Sequence, residues 1–271
     1  MSEHKPGKKP VVFCHKIIST EDHDEYGIHF SSDAKTLYFI RRLEKGPAIM
    51  YSGQGLYGWT KPGKLRFSDG FAVSESCLNT DETRLLLVHP VENGVTDELF
   101  VSTRNQGQWG TPEKITDTLL GSGIGSLSAS RSGNVFYTGK LKKEALPDIL
   151  ITEYRNRQYM PPWNPGKQIN TSYRERDPFI APDEDYLLFC SDRPGGFGGT
   201  DLYLSVRKND GEWGPASNLG PSINSKLDEG SPYISPDGQY LFFSRDNNQN
   251  KDIYWVSTQA IEALPLLTSK K

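Results

Sequence analysis

A closed ring of five four-stranded antiparallel blades, an all-β propeller, is the fold this sequence predicts, and three observations predict it. A turn returns along the chain: "FSSDAKTLYFIRR" around Asp33, "LNTDETRLLLVH" around Asp81, "SASRSGNVFYTGK" around Ser132, "IAPDEDYLLFCSD" around Asp183 and "ISPDGQYLFFSRD" around Asp237, at intervals of 48, 51, 51 and 54 residues. A third β-type run follows each turn, as "AIMYS", "ELFVS", "DILIT", "DLYLS" and "DIYWV". In four of the five units a further element opens on an aromatic with a proline close behind, from Trp59, Trp109, Tyr159 and Trp213. Four strands repeated at a period near fifty residues is the pattern of propeller blades.

Each element has its own physical reason. Pro-Asp-Gly at 236–238 sits between runs in which polar and apolar residues alternate, so it reads as the reversal between the two inner strands of a blade. The proline of the fourth element suits an edge strand, where a missing N–H breaks no ladder bond. The fifth unit lacks a fourth strand, and "KPVVFCHKIIS" at 9–19 has the spacing to supply it. Closure by that leading segment is therefore expected, and closure removes open sheet edges. The predicted division is a tail at 1–8, one propeller at 9–258 with blades near 20–67, 68–117, 118–170, 171–224 and 225–258 plus 9–19, and a tail at 259–271. Six blades is the competing count. Blade 3 departs from the pattern, with Arg131-Ser132-Gly133 in place of Pro-Asp-Gly.

Composition fits a packed single domain. The 271 residues are 35% hydrophobic, with 13 Tyr, 12 Phe and 5 Trp, and 26 Gly with 18 Pro provide for many turns. A formal charge of −3 gives no basic footprint for nucleic acid, and no apolar run reaches the roughly 20 residues of a membrane helix. Cys14, Cys77 and Cys190 show no metal spacing and read as reduced core thiols. The polar opening "MSEHKPGKKP" carries no apolar stretch, which points to the cytoplasm.

The Pro-Asp turns, the "DLY" and "DIY" third strands and the phrase "CSDRPGGFGGTDLYLSVRKNDGEWGPASNLGPSIN" resemble the WD-repeat-like propellers of the TolB type, over about residues 9–258. The resemblance implies a propeller, a binding or scaffolding role, and a periplasmic or envelope setting. It implies no reaction, because propellers host many functions.

Pairing each hairpin about its turn places Glu25 opposite Arg41, Val73 opposite His89, Glu175 opposite Ser191, Glu229 opposite Arg245, and Ile124 or Gly125 near Lys140. These positions begin the inner strand, at the mouth of the central channel. Blades 4, 5 and 1 thus contribute Glu175, Glu229 and Glu25, and His23, Asp24, His29, Arg174, Arg176, Asp177 and Asp228 enlarge the polar sector. The predicted ligand-binding set is His23, Glu25, His29, Arg41, Arg174, Glu175, Arg176, Asp177, Asp228, Glu229 and Arg245. The other reading of the Glu–Arg pairs is cross-strand charge pairing with no ligand role. The expected function is non-catalytic recognition of a peptide, protein or carbohydrate by a monomer. The alternative is a glycoside-active enzyme using Glu25, Glu175 and Glu229.

No cofactor is required by the sequence. "DNNQNKD" sets Asp246, Asn248, Asn250 and Asp252 at alternate positions, the oxygen-rich start of a calcium loop, but Lys251 stands where such a loop needs glycine. "RPGGFGGTD" at 193–201 lacks the Gly-Lys-Ser/Thr ending of a phosphate loop. It reads as a mobile loop whose glycines permit positive φ, with Phe197 exposed at its tip as a hint of a partner contact.

Overall fold

The computed structural model describes residues 5–90, 97–115, 123–142, 145–156 and 158–262. Five antiparallel blades form a propeller, each running outward from an inner strand. Blade 1 is built from Glu25–Phe30, Thr36–Leu43 and Gly46–Gly55, with outer pieces Gly58–Trp59 and Gly63–Lys64. Blade 2 comprises Glu75–Leu78, Arg84–His89 and Glu98–Asn105, with outer pieces Gln108–Trp109 and Glu113–Lys114. Blade 3 has shorter strands, Leu127–Ala129, Val135–Gly139 and Asp148–Thr152, and its rim is the small ribbon of Tyr154–Arg155 and Gln158–Tyr159. Glu175–Ile180, Tyr186–Ser191, Asp201–Val206 and Ser217–Asn218 make blade 4. Asp228–Ile234, Tyr240–Asp246 and Lys251–Ser257 make blade 5, and Val11–Val12 completes it.

That last pairing closes the ring. Val11 lies opposite Trp255 and Val12 opposite Tyr254, and the Phe13 N–H continues the ladder to the Ile253 carbonyl at 2.8 Å. Phe13 then turns into the seam between blades 5 and 1, edge-on to Phe242 at 5.0 Å and to Trp255 at 5.3 Å. The expected leading-strand closure is therefore observed. The tails at 1–4 and 263–271 lie outside the described residues.

Strand alternation explains how one blade buries both faces. Leu37 and Phe39 face blade 5, while Tyr38 and Ile40 face blade 2. Leu86 and Val88 face blade 3, and Leu85 and Leu87 face blade 1. Phe136 packs towards Leu187 and Phe189 of blade 4, whose Leu188 and Cys190 pack towards Leu241 and Phe243 of blade 5. Among the described residues five apolar clusters result, one for each junction between blades. The second strands therefore read as nearly unbroken hydrophobic runs.

The recurring Ser or Thr at the end of "AIMYS", "ELFVS", "DILIT" and "DLYLS" ties each third strand to its outer element. Ser52, Ser102, Thr152 and Ser205 donate their hydroxyls to the carbonyls of Thr60, Gly110, Met160 and Gly214 at 2.6–2.7 Å. The prolines fall just before the outer strand pieces, Pro62 ahead of Gly63 and Pro112 ahead of Glu113, where no ladder N–H is needed.

Candidate functional site

The three glutamates singled out by the repeat are held in a motif that ties blades together. In blade 4, Asn170 clamps the third strand of blade 3 by accepting from the Ile149 N–H and donating to its carbonyl. Next to it, Thr171 donates its N–H and its hydroxyl to the two oxygens of Glu175, at 2.9 and 2.7 Å. Asn224 and Ser225 repeat this with Leu202 and Glu229. Ser19 and Thr20 do so with Ile253 and Glu25.

An arginine completes each motif. Arg41 donates to Glu25 at 2.7 Å and to the Ile18 carbonyl, and Arg245 donates to Glu229 at 2.7 Å and to the Ile223 carbonyl. In blade 4 the cross-strand partner is Ser191, as pairing about the turn predicts. The guanidinium there comes from Arg193, two residues further on, which donates to Glu175 at 3.1 Å and to the Ile169 carbonyl at 2.7 Å. Glu25 and Glu175 are 0% exposed and Glu229 is 2% exposed. Burial pushes the Glu25 carboxyl up to about 7, against the opposing pull of Thr20 and Arg41.

The structure separates the predicted set. Glu25, Glu175, Glu229, Arg41 and Arg245 stand in these motifs and do not line the cavity described below. Glycoside hydrolysis needs two carboxyls that reach the scissile bond from its flanks, and the three glutamates are enclosed instead. Arg174 is exposed, its N–H donating to Asp192, and the Arg176 side chain donates to the Thr200 hydroxyl at 3.1 Å. Asp228 accepts from the Thr200 N–H, and His23 lies half-buried on the loop before Glu25. His29 and Asp177 do line the cavity. The pairing of Val73 with His89 is corrected by one residue: Glu75 pairs with Val88, and Val73 precedes the strand, fully buried between blades 1 and 2.

The 246–252 segment is the hairpin between the second and third strands of blade 5. Asp246 accepts from the Asn248 N–H, and Asn250 donates to the Thr20 carbonyl. Among the described residues no group of three or more His, Cys, Asp or Glu is arranged to hold a metal. The glycine-rich loop also needs correction. Only Gly195 of its four glycines takes positive φ. Gly196, Gly198 and Gly199 are there for close approach: a Cβ on Gly198 would collide with the Ser225 and Leu227 carbonyls, and one on Gly199 with Asp228. The loop packs against the blade 4–5 connection, and Phe197 is 45% exposed at its tip.

The central channel contains a cavity of about 500 Å³ lined by the inner strands of all five blades, a volume in the range of small-ligand pockets. Counting six residues back from each turn gives Gly27, Glu75, Ser126, Asp177 and Ser231, one per blade, and all five line it. Gly27, Asp177 and Ser231 have φ of 62°, 55° and 47°, at irregularities in the inner ladders of blades 1, 4 and 5. These bulges turn the sixth-from-turn position inward. At Asp177 and Ser231 the left-handed backbone carries a side chain, a strain that the fold must hold in place.

Asp177 is braced on several sides. Its carboxylate accepts from the Ser126 hydroxyl, the Ser231 N–H at 3.0 Å and the Cys190 thiol at 3.8 Å, and its own N–H donates to the Thr138 hydroxyl at 3.0 Å. Burial, reinforced by the neighbouring Asp177 charge, holds the Glu75 carboxyl well above the usual carboxylate range. His29 stacks on Tyr38 at 5.3 Å. Burial lowers its imidazole to about 4, with the Gly27 backbone drawing the other way. The imidazole is set against the Gly27 backbone, and the buried Ser76 hydroxyl has no hydrogen-bond partner among the described residues.

Glu75, Ser76, Ser126 and Ser231 escaped the sequence reading, which took the column eight residues before the turn. The signal was available two residues along, where the same repeat carries a different side chain in almost every blade.

Comparison with solved structures places this architecture among propellers of different activity at the level of fold alone. The chain matches the endo-arabinase of Bacteroides thetaiotaomicron at a TM-score of 0.59 and 16% identity, covering 89% of this chain and 96% of that one. A TolB-type protein of Agrobacterium tumefaciens matches at 0.56 and 16% identity, covering 88% and 78%. A gluconolactonase of Xanthomonas campestris matches at 0.52 and 9% identity, covering 94% and 96%. No family model and no curated protein matches the chain.

Proposed function

We propose that this propeller is a non-catalytic binding module that receives an extended peptide segment of a partner protein at the mouth of its central channel. The observation that carries the reading is the cavity itself. All five blades contribute to it, it is largely apolar, and a few polar side chains, Glu75 and Asp177 among them, converge on it, as in a recognition pocket.

The test uses a random-sequence peptide library passed over the immobilised protein. Glu75→Phe is the control, because Glu75 lines the channel and makes no hydrogen bond among the described residues, so a ring there narrows the channel without breaking an internal bond, with a melting curve confirming that the variant is folded. Peptides retained by the wild type and lost about tenfold or more on Glu75→Phe support the reading. Retention of no peptide, or equal retention by both proteins, overturns it.

A further inference from the structure

The cavity opens on the face that carries the turns between the inner strands, because Ser32, Thr80, Arg131, Pro182 and Pro236, one from each of those turns, stand among its walls. The last described residue, Glu262, lies on the same face. The short 3-10 helix Thr258–Ala260 is fixed to the turn of blade 5. There Thr258 donates its N–H to the Gln239 carbonyl at 2.9 Å and its hydroxyl to the Gly238 carbonyl at 2.8 Å. Ile261 then enters the seam between blades 4 and 5, 2% exposed and in one apolar cluster with Phe179. Tyr186 and Tyr233 pack against that cluster, and all three aromatic side chains line the cavity. The chain therefore leaves the fold at the lip of the channel.

Residues 263–271, "ALPLLTSKK", follow in the sequence and lie outside the described residues. Their length suffices to reach inside. Nine residues span ~30 Å when extended, whereas the six inner-strand positions from a turn down to the column of Glu75 and Asp177 cover ~20 Å. Their chemistry matches as well. Leu264, Leu266 and Leu267 are apolar, as are most of the walls. Pro265 restricts its neighbour Leu264 to extended backbone, which lowers the entropy lost on ordering. The only charged residues of the segment, Lys270 and Lys271, are both positive. Among the described lining residues the lip carries Glu82, Asp183, Asp185 and Asp237 against Arg131, so opposite charge draws the segment towards the channel.

We propose that segment 263–271 is the channel's internal occupant: its leucines enter the cavity past the blade 5 turn and hold the walls that a partner's peptide would use. This rests on the peptide-binding reading above and adds its regulation, since the partner's peptide must displace the segment. A tethered segment acts at an effective concentration on the order of millimolar. At that concentration an intrinsic Kd of about 0.1 mM fills the channel in roughly nine molecules of every ten and weakens a free peptide about tenfold.

Two measurements on the full chain test this. Chymotrypsin digestion followed by mass spectrometry reads cleavage after Leu266 and Leu267 in the wild type and in Glu75→Phe, whose added ring narrows the channel, with melting curves confirming that both are folded. Cleavage about tenfold slower in the wild type, at a ratio independent of protein concentration, is the expected result. The double variant Leu266→Asp, Leu267→Asp should retain library peptides about tenfold more tightly than the wild type. Equal cleavage in the wild type and Glu75→Phe, or equal peptide affinity in the wild type and the double variant, overturns the inference and leaves peptide binding intact. Protection that grows with protein concentration assigns the segment to the channel of a second copy and overturns the intrachain contact. Retention of no peptide by either protein overturns the peptide-binding reading, while the cleavage comparison still decides whether the segment fills the channel.

Discussion

Replacing His29 with Phe exchanges a buried imidazole for the residue that the same repeat position uses in blade 4, Phe179. The stack on Tyr38 is kept and the two buried ring nitrogens are removed. In the folded protein the imidazole protonates near 4, whereas in the unfolded chain it does so near 6.5. The unfolded state therefore binds the proton first as pH falls. Stability linked to His29 is complete above pH 6.5 and is lost progressively towards pH 4. Integrating over that window gives a loss of about 3 kcal/mol between pH 7 and pH 4. Urea unfolding followed by tryptophan fluorescence at the two pH values should show the wild type losing about 3 kcal/mol more than His29→Phe. At pH 7 the variant should be more stable by about 1 kcal/mol, since an apolar ring replaces a desolvated imidazole. Equal losses in both proteins would show that His29 is solvated or partnered in the folded state, and the reasoning would fail.

Three further outcomes follow from the same contacts. Arg245→Ala leaves the buried Glu229 carboxylate without its cation and should cost about 3–5 kcal/mol, read from chemical denaturation; a cost near zero would mean that water replaces the guanidinium. Gly198→Ala should lower the melting temperature markedly, because the added methyl meets backbone carbonyls that cannot step aside; Gly211→Ala, with nothing within 4 Å of the added carbon but φ of 87°, isolates the backbone contribution for comparison. Phe13→Ala empties the closure seam between blades 5 and 1 and should cost about 3–5 kcal/mol, with hydrogen exchange rising first along the third strand of blade 5.

Much of the architecture was written in local pattern. The intervals between turns gave the number of blades, and the missing fourth strand of the last unit pointed to "KPVVFCHKIIS" as its completion. Cross-strand partners of Glu25, Glu175 and Glu229 were also legible, because a hairpin about a known turn fixes its register. The role of those glutamates was not. A carboxylate on an inner strand reads the same whether it faces a ligand or an arginine, and Arg193 reaches Glu175 from outside the paired position that register alone identifies.

The chain by itself determined the ring, its closure and the composition of each repeated column, since these depend on strand alternation and turn chemistry acting within one blade. Only the tertiary structure decided which column faces the channel. Bulges at Gly27, Asp177 and Ser231 shift the inner strands by a residue and turn Asp177 inward, while the inter-blade motifs draw the three glutamates out of reach. Such a choice depends on the packing of one blade against the next, and no single repeat contains it.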